Sequence, residues 1–155
     1  MSEITIDYLA NHPQVLPELA KWYHEEWGGM SEINTLEDRI KYVHKTTNYQ
    51  EVPTTIIALE DNQLMGGASL VVHDMETHKH LSPWLANVFV APAHRNGGLG
   101  SRLVQRIIGE ARELRVERLY LFTPDRENFY ARLGWRTRER VPYRGKDVAV
   151  MEFDL

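Results

Sequence analysis

The segment PWLANVFVAPAHRNGGLGSRLV, residues 83–104, decides the fold, because it leads from an apolar strand through a glycine-rich loop into a helix. The run LANVFVA (85–91) is typical of a buried strand. The loop RNGGLG (95–100) has three glycines, which are costly to order and poor in helices. A strand, a glycine turn and a helix start together direct unpaired backbone N–H groups at an anion. The helix is predicted from apolar residues at helical spacing: Leu99, Leu103, Ile107, Ala111 and Leu114.

The common phosphate-loop patterns do not fit this segment. No lysine follows Gly100, which excludes the G-x-x-x-x-G-K-[ST] loop, and Leu103 stands where G-x-G-x-x-G needs its third glycine. The pattern that fits is R-x-x-G-x-G, from Arg95 to Gly100. Taken alone, this hexamer is also compatible with a loop that only turns a strand into a helix.

A second motif, NFYARLGW (128–135), accompanies the loop, and together they resemble the GNAT superfamily of acetyl-CoA-dependent N-acetyltransferases. The resemblance is carried mainly by residues 84–135. It implies that backbone amides of the loop hold the cofactor pyrophosphate, that the strand pairs with pantetheine, and that Asn128 contacts the cofactor. The cofactor-binding residues so implied are Val88, Phe89 and Val90 in the strand and Arg95, Asn96, Gly97, Gly98, Leu99, Gly100 and Ser101 in the loop.

The whole chain, residues 1–155, is predicted to be one α/β domain with element order β-α-α-β-β-β-α-β-α-β-β. Asp61-Asn62 predicts a tight turn, Thr35 and Thr123 predict helix N-caps, and Gly134 predicts a helix end. The resemblance implies a GNAT-like fold, with a central, mostly antiparallel sheet, one splayed parallel strand pair and helices on both faces.

Composition narrows the classes of function. The net charge of −4 argues against a broad basic surface for nucleic acid, and the absence of cysteine excludes disulfides, thiolate zinc sites and a cysteine nucleophile. No apolar run approaches the ~20 residues of a membrane span, and the first residues lack the features of a secretory signal. We therefore expect a cytoplasmic protein without a membrane segment.

Tyr130 is the expected general acid. Phe129 and Leu133 are predicted to face the core, and Tyr130 is rotated by about 100° from Phe129 toward a cleft. The resemblance implies that this tyrosine lies near the cofactor sulfur. Some members of the superfamily use a glutamate on the fourth strand as base, but residues 84–88 (WLANV) have no carboxylate. Water-linked Glu26, Asp74 or a histidine all remain open as bases.

Trp27, Trp84 and Asn87 are the candidate acceptor contacts. The stretch HDMETHKH (73–80) matches no standard zinc spacing, so we interpret it as a solvated loop and expect no metal.

The predicted function is transfer of an acetyl group from acetyl-CoA to a primary amine by direct attack in a ternary complex. The amine is a small molecule or a peptide or protein amine, and a homodimer is possible. The alternatives are a catalytically inactive CoA-binding sensor or structural module and, with less support, a phosphate- or nucleotide-binding protein without acyl chemistry.

Overall fold

A seven-stranded mixed sheet organises the chain. The computed structural model describes residues 3–30 and 32–155. The strands are β1 (Ile4–Tyr8), β2 (Thr54–Glu60), β3 (Gln63–Val71), β4 (Trp84–Val90), β5 (Arg118–Thr123), β6 (Arg136–Tyr143) and β7 (Lys146–Asp154). The α-helices are α1 (Leu16–Trp27), α2 (Leu36–His44), α3 (Leu99–Glu113) and α4 (Glu127–Arg132). The predicted element order is confirmed.

The strand order is β1-β2-β3-β4-β5-β7-β6, and every neighbouring pair is antiparallel except β4 and β5. These two parallel strands pair only at Trp84 and Tyr120, where the Tyr120 N–H donates to the Pro83 carbonyl over 3.1 Å. Beyond that point they diverge and leave a gap in the sheet. The predicted GNAT-like sheet with one splayed parallel pair is confirmed.

Helices cover both faces of this sheet. Alternate residues of a strand point to opposite faces, and Ile56 accordingly packs in the core cluster with α3, while Ile57 packs in the cluster with α1. The apolar stripe predicted for α3 is buried from Leu99 to Ala111. Both faces of the sheet therefore bury apolar side chains against helices.

Local signals explain most element boundaries. Asp61 and Asn62 have φ of 50° and 65°, as a two-residue hairpin turn between β2 and β3 requires. Thr35 caps α2, because its Oγ1 accepts a hydrogen bond from the Asp38 N–H over 3.1 Å. Gly134 ends α4 with φ of 101°.

The prediction that Thr123 caps α4 was wrong. Thr123 Oγ1 accepts from the Arg126 N–H over 2.9 Å, and the helix begins only at Glu127. The hydroxyl therefore closes a separate turn in front of the helix, in the way that threonine side chains compete with helical geometry. The strand β3 ends at Val71, although the apolar sequence continues through Val72.

No α-helix within residues 3–30 and 32–155 is both long enough and apolar enough to span a membrane.

Candidate active site

A cleft of about 1190 Å³ opens where β4 and β5 diverge. Its walls come from β4, from the loop and first turn of α3, from α4, and from α2 with the segment that follows β3. The loop that precedes α3 and the start of the β3–β4 connection thus contribute to one continuous cavity. Elements far apart in sequence meet here.

The N-terminus of α3 is an anion site in its geometry. The Arg102 N–H donates to the Gly98 carbonyl over 3.1 Å as the first helical bond, and no side chain caps this helix. The N–H groups of Leu99, Gly100 and Ser101 consequently have no helical acceptor, and all three residues line the cleft. These donors, together with the positive end of the helix dipole, suit a phosphate or pyrophosphate.

Gly98 is required by its backbone conformation, with φ of 83°. A Cβ there would meet no atom of the described residues within 4 Å apart from its chain neighbours, so the space beside it is open. Asn96 and Gly98 line the cleft, whereas Gly97 is outside its wall. The residues present therefore fit a pyrophosphate held by backbone amides.

Arg95 lies against β4 at the edge of this loop. Its Nε donates to the Val90 carbonyl over 2.8 Å, and its guanidinium lies 5.5 Å from the centre of the Phe89 ring. The side chain is exposed and lines the cleft. Its terminal nitrogens are thus positioned by the strand while remaining accessible to an anion.

A bulge in β4 exposes part of the strand to the cleft. The register with β3 shifts between the pairs Phe89–Gly67 and Ala86–Ser69, and Asn87 in the bulge has φ of 56°. Since β4 and β5 pair only at Trp84, the backbone of Val88–Val90 has no β5 partner. An extended amide-bearing ligand can pair with such an edge as an added strand does.

Tyr130 lies in α4 with its ring packed between neighbours, 5.0 Å from the Phe129 ring and 6.2 Å from the Trp135 ring. Its backbone carbonyl accepts from the Trp135 N–H over 3.1 Å at the helix end, which fixes its position. Tyr130 is more deeply buried than Phe129, at 8% exposure, in contrast to the predicted division of the two rings. Both rings pack in the core cluster that α3 forms with the sheet.

The Tyr130 phenol is nevertheless available to the cleft, which it lines. No other side chain among the described residues hydrogen-bonds its hydroxyl. Burial raises the pKa of Tyr130 to about 12, while the nearby Arg126 charge lowers it and Asp125 raises it further. The phenol therefore stays protonated at neutral pH and can donate its proton.

Of the three residues predicted to contact the acceptor, two line the cleft and one does not. Trp27 and Asn87 line the cleft, and the Asn87 amide donates to the Tyr42 hydroxyl over 3.1 Å. Trp84 is fully buried: its indole N–H donates to the Leu81 carbonyl over 2.7 Å, and its ring packs 5.8 Å from that of Tyr120. Trp84 stabilises the start of the splayed strand pair and is not part of the cleft wall.

Asp74 lies at the cleft end that faces α2, in the connection after β3. Burial raises the pKa of Asp74 to about 7, and the positive charges of Arg144 and Arg39 lower it in part. Its carboxylate raises the pKa of the neighbouring Tyr42, which burial already raises, to about 12. Glu26 and His73, two of the other bases left open, line the same cavity.

Sequence reasoning missed Arg39 and Tyr42. Arg39 stands three residues after Leu36 and four before Val43, on the apolar face predicted for α2. An arginine on the otherwise apolar face of this helix was the sequence signal that could have identified Arg39 as a functional residue. Tyr42 had no comparable signal, because a tyrosine in a helix is ordinary core.

The histidine-rich stretch is less solvated than predicted. His78 is buried, and its Nε2 lies 2.6 Å from Glu139 Oε1 while its Nδ1 lies 2.7 Å from Thr77 Oγ1. These bonds tie the β3–β4 connection to β6. Among the residues that the structure describes, no group of three His, Cys, Asp or Glu side chains is placed to hold a metal.

Comparison with known proteins agrees with this geometry. The sequence model of the acetyltransferase (GNAT) family matches residues 16–135, whereas no curated protein sequence matches the chain. The fold is similar to that of yncA from Salmonella typhimurium, whose structure contains its cofactor acetyl-CoA (TM-score 0.75, 18% identity, 98% of this chain and 94% of that one). It is also similar to the ribosomal-protein-alanine N-acetyltransferase of Brucella melitensis (TM-score 0.71, 23% identity, 92% and 95%). A third similar structure is an aminoglycoside 6'-acetyltransferase type Ii (TM-score 0.75, 19% identity, 98% and 96%).

The splayed parallel strand pair and the uncapped, glycine-started helix beside it place this chain in the class of GNAT-like α/β folds. Since the family model covers well over half of its length, the chain belongs to the GNAT acetyltransferase family.

Proposed function

We propose that this protein is an N-acetyltransferase that moves an acetyl group from acetyl-CoA to a primary amine by direct attack in a ternary complex. One observation carries the proposal: the unpaired N–H groups at the start of α3 and the unpaired phenol of Tyr130 line the same cleft. Acetyl-CoA supplies the reactive thioester. The α3 N–H groups hold its pyrophosphate, and the edge of Val88–Val90 orients its pantetheine arm.

The transfer forms one C–N bond and breaks one C–S bond. The amine arrives as an ammonium ion and loses one proton to a base, which makes its nitrogen a nucleophile. As the nitrogen bonds to the carbonyl carbon, Tyr130 donates its proton to the departing sulfur. The second nitrogen proton restores the phenol, so the products are an acetamide, the CoA thiol and one proton.

Initial-rate kinetics with a panel of amines and short peptides test the proposal, with the release of CoA thiol as readout. Attack in a ternary complex predicts intersecting double-reciprocal lines and no acetylated protein by intact mass, in keeping with a chain that has no cysteine. Tight acetyl-CoA binding without thiol release for any amine would instead establish the alternative, a CoA-binding module without catalysis. Preference for ATP over CoA would exclude acyl transfer altogether.

Asp74 is the proposed general base. It must be deprotonated to accept a proton, and its pKa is about 7, so kcat should rise with pH through about 7 and then level. The groups that face Asp74 are the Arg39 guanidinium and the Tyr42 hydroxyl on α2 and the Arg144 guanidinium after β6. We expect Asp74→Asn to lower kcat by about 10²–10⁴-fold and to remove this rise.

The matched control for Asp74 is Glu76→Gln. Glu76 lines the same cleft, but it is exposed and its Oε2 lies 3.3 Å from Lys79 Nζ. This variant should keep the pH profile of the unaltered protein. A rise in kcat through pH 7 that persists in Asp74→Asn would assign the base elsewhere.

A further inference from the structure

Arg39 is a buried cation at the acceptor end of the cleft. It is 3% exposed, which is rare for arginine, and it lines the cavity together with Tyr42 and Asp74. Burial lowers its pKa, although the charge of Asp74 raises it again in part. A guanidinium in such a place requires partners for its donors.

Only some of the hydrogen-bond donors of Arg39 have partners in the described part of the chain. Its Nη2 donates to the Ile33 carbonyl over 3.2 Å, and its guanidinium lies 5.7 Å from the centre of the Tyr42 ring. Its Nε is buried without any hydrogen-bond partner. No carboxylate of a described residue lies within 4.0 Å of its nitrogens. A buried guanidinium with so few acceptors favours an anionic group in the cavity that it lines, above all a carboxylate, whose planar shape suits it.

Asp74 is the complementary charge in the same end of the cleft. It is close enough for Arg39 to lower its pKa, yet the two form no direct ion pair. The other cation near Asp74, Arg144, stacks on the Tyr143 ring at 5.0 Å. A cation and an anion held apart in one cavity match a ligand that has both charges, with its carboxylate toward Arg39 and its ammonium toward Asp74.

The wall beside these two charges is apolar and aromatic. Trp27 and Phe89 lie in edge contact, with ring centres 6.1 Å apart, and Ile33 and Met75 also line the cavity. A third substituent of the ligand would lie against these side chains, and an apolar or aromatic one buries surface there.

From this arrangement we propose that the acceptor is an α-amino acid with an apolar or aromatic side chain, whose carboxylate binds Arg39 and whose amine faces Asp74. The inference rests on the proposed acetyl transfer and narrows its acceptor. The reaction remains the one balanced above, with the amine nitrogen of the amino acid as nucleophile. Arg39 is a positioning and specificity residue, since it contacts the carboxylate and not the reacting atoms.

Three acceptors that differ in one group test the proposal: L-phenylalanine, L-phenylalaninamide and 2-phenylethylamine. Because a hydrogen bond between charged groups contributes more than a neutral one, kcat/KM for phenylalanine should exceed those for the other two by about 10- to 100-fold. Arg39→Gln should raise KM for phenylalanine by a similar factor and leave KM for 2-phenylethylamine within about twofold. Arg39→Lys keeps the charge but loses the planar guanidinium. Its KM for phenylalanine should lie between those of the unaltered protein and of Arg39→Gln.

This combination of variant and acceptor separates recognition from a merely structural role, which would affect all three acceptors alike. Arg112→Gln is the matched control, because Arg112 is exposed and outside the cleft. Thermal unfolding checks each variant, and if Arg39→Gln does not fold, the acceptor series with Arg39→Lys still decides.

The outcomes also separate this inference from the proposed function. Equal or faster turnover of the amide or the amine would overturn the amino-acid acceptor but keep acetyl transfer, and faster turnover of the amide would indicate a peptide N-terminus instead. If other amines in the panel react while none of the three does, only the inference fails. If no amine reacts at all, the proposed function itself fails.

Discussion

Tyr130→Phe is expected to lower kcat by about 10²–10⁴-fold while the Kd for acetyl-CoA changes less than about threefold, the range typical of a lost general acid. The substitution removes one hydroxyl and keeps the ring that packs against Phe129 and Trp135. Without this proton donor the sulfur must depart as a thiolate into a partly buried site. Steady-state kinetics, together with calorimetric titration of acetyl-CoA, measure both quantities.

Tyr120→Phe is the matched control for this loss. Tyr120 makes the same kind of ring contact, with Trp84, but lies outside the cleft. Its substitution should leave kcat within about twofold, in line with the small effect of most substitutions away from a site. A Tyr130→Phe variant with unaltered kcat would show that the sulfur departs without this acid.

Gly98→Glu is expected to weaken acetyl-CoA binding by on the order of 100-fold. Most side chains are strained at φ of 83°, and a carboxylate would sit beside the N–H groups of Leu99 and Gly100 that are proposed to hold the pyrophosphate. Because a Cβ at Gly98 meets no atom of the described residues within 4 Å apart from its chain neighbours, the substitution should weaken ligand binding more than it lowers the stability of the fold. Titration calorimetry with acetyl-CoA gives the change in Kd directly.

Two variants separate the causes of that loss. Gly98→Asn adds a side chain without a charge. Because asparagine tolerates positive φ, this variant should weaken acetyl-CoA binding much less than Gly98→Glu does. Gly109→Glu places the same carboxylate on α3 but outside the cleft, at a glycine that also has open space, and should leave Kd unaltered. Equal Kd values for Gly98→Glu and the unaltered protein would exclude the start of α3 as the pyrophosphate site.

Much of the cofactor end could be read from sequence because its signals are local. The start of α3 and the glycine at positive φ both lie within residues 95–104, where spacing and residue type report directly on backbone geometry. The hairpin at Asp61-Asn62 and the cap at Thr35 were predictable for the same reason. The start of α4 was not predictable, because a threonine hydroxyl can cap a helix or close a separate turn. In the structure the Thr123 hydroxyl closes the turn.

The acceptor end depends instead on contacts between distant segments. Arg39 from α2 and Asp74 from the β3–β4 connection are 35 positions apart in sequence, and neither spacing nor motif relates them. Trp84 shows the converse: its place beside Pro83 at the start of a strand suggested a ligand contact, but in the structure it is fully buried.

The amino-acid sequence by itself determined the fold class, the order of elements, the start of α3 as a candidate anion site and Tyr130 as the candidate acid. Only the tertiary structure decided which residues share the cleft with that tyrosine, and it left Arg39 with an unused donor in the cavity that Asp74 also lines. The physical reason is that helices, turns and caps follow from interactions within a few residues. The charge and desolvation of a cleft follow from which segments the packed sheet brings together.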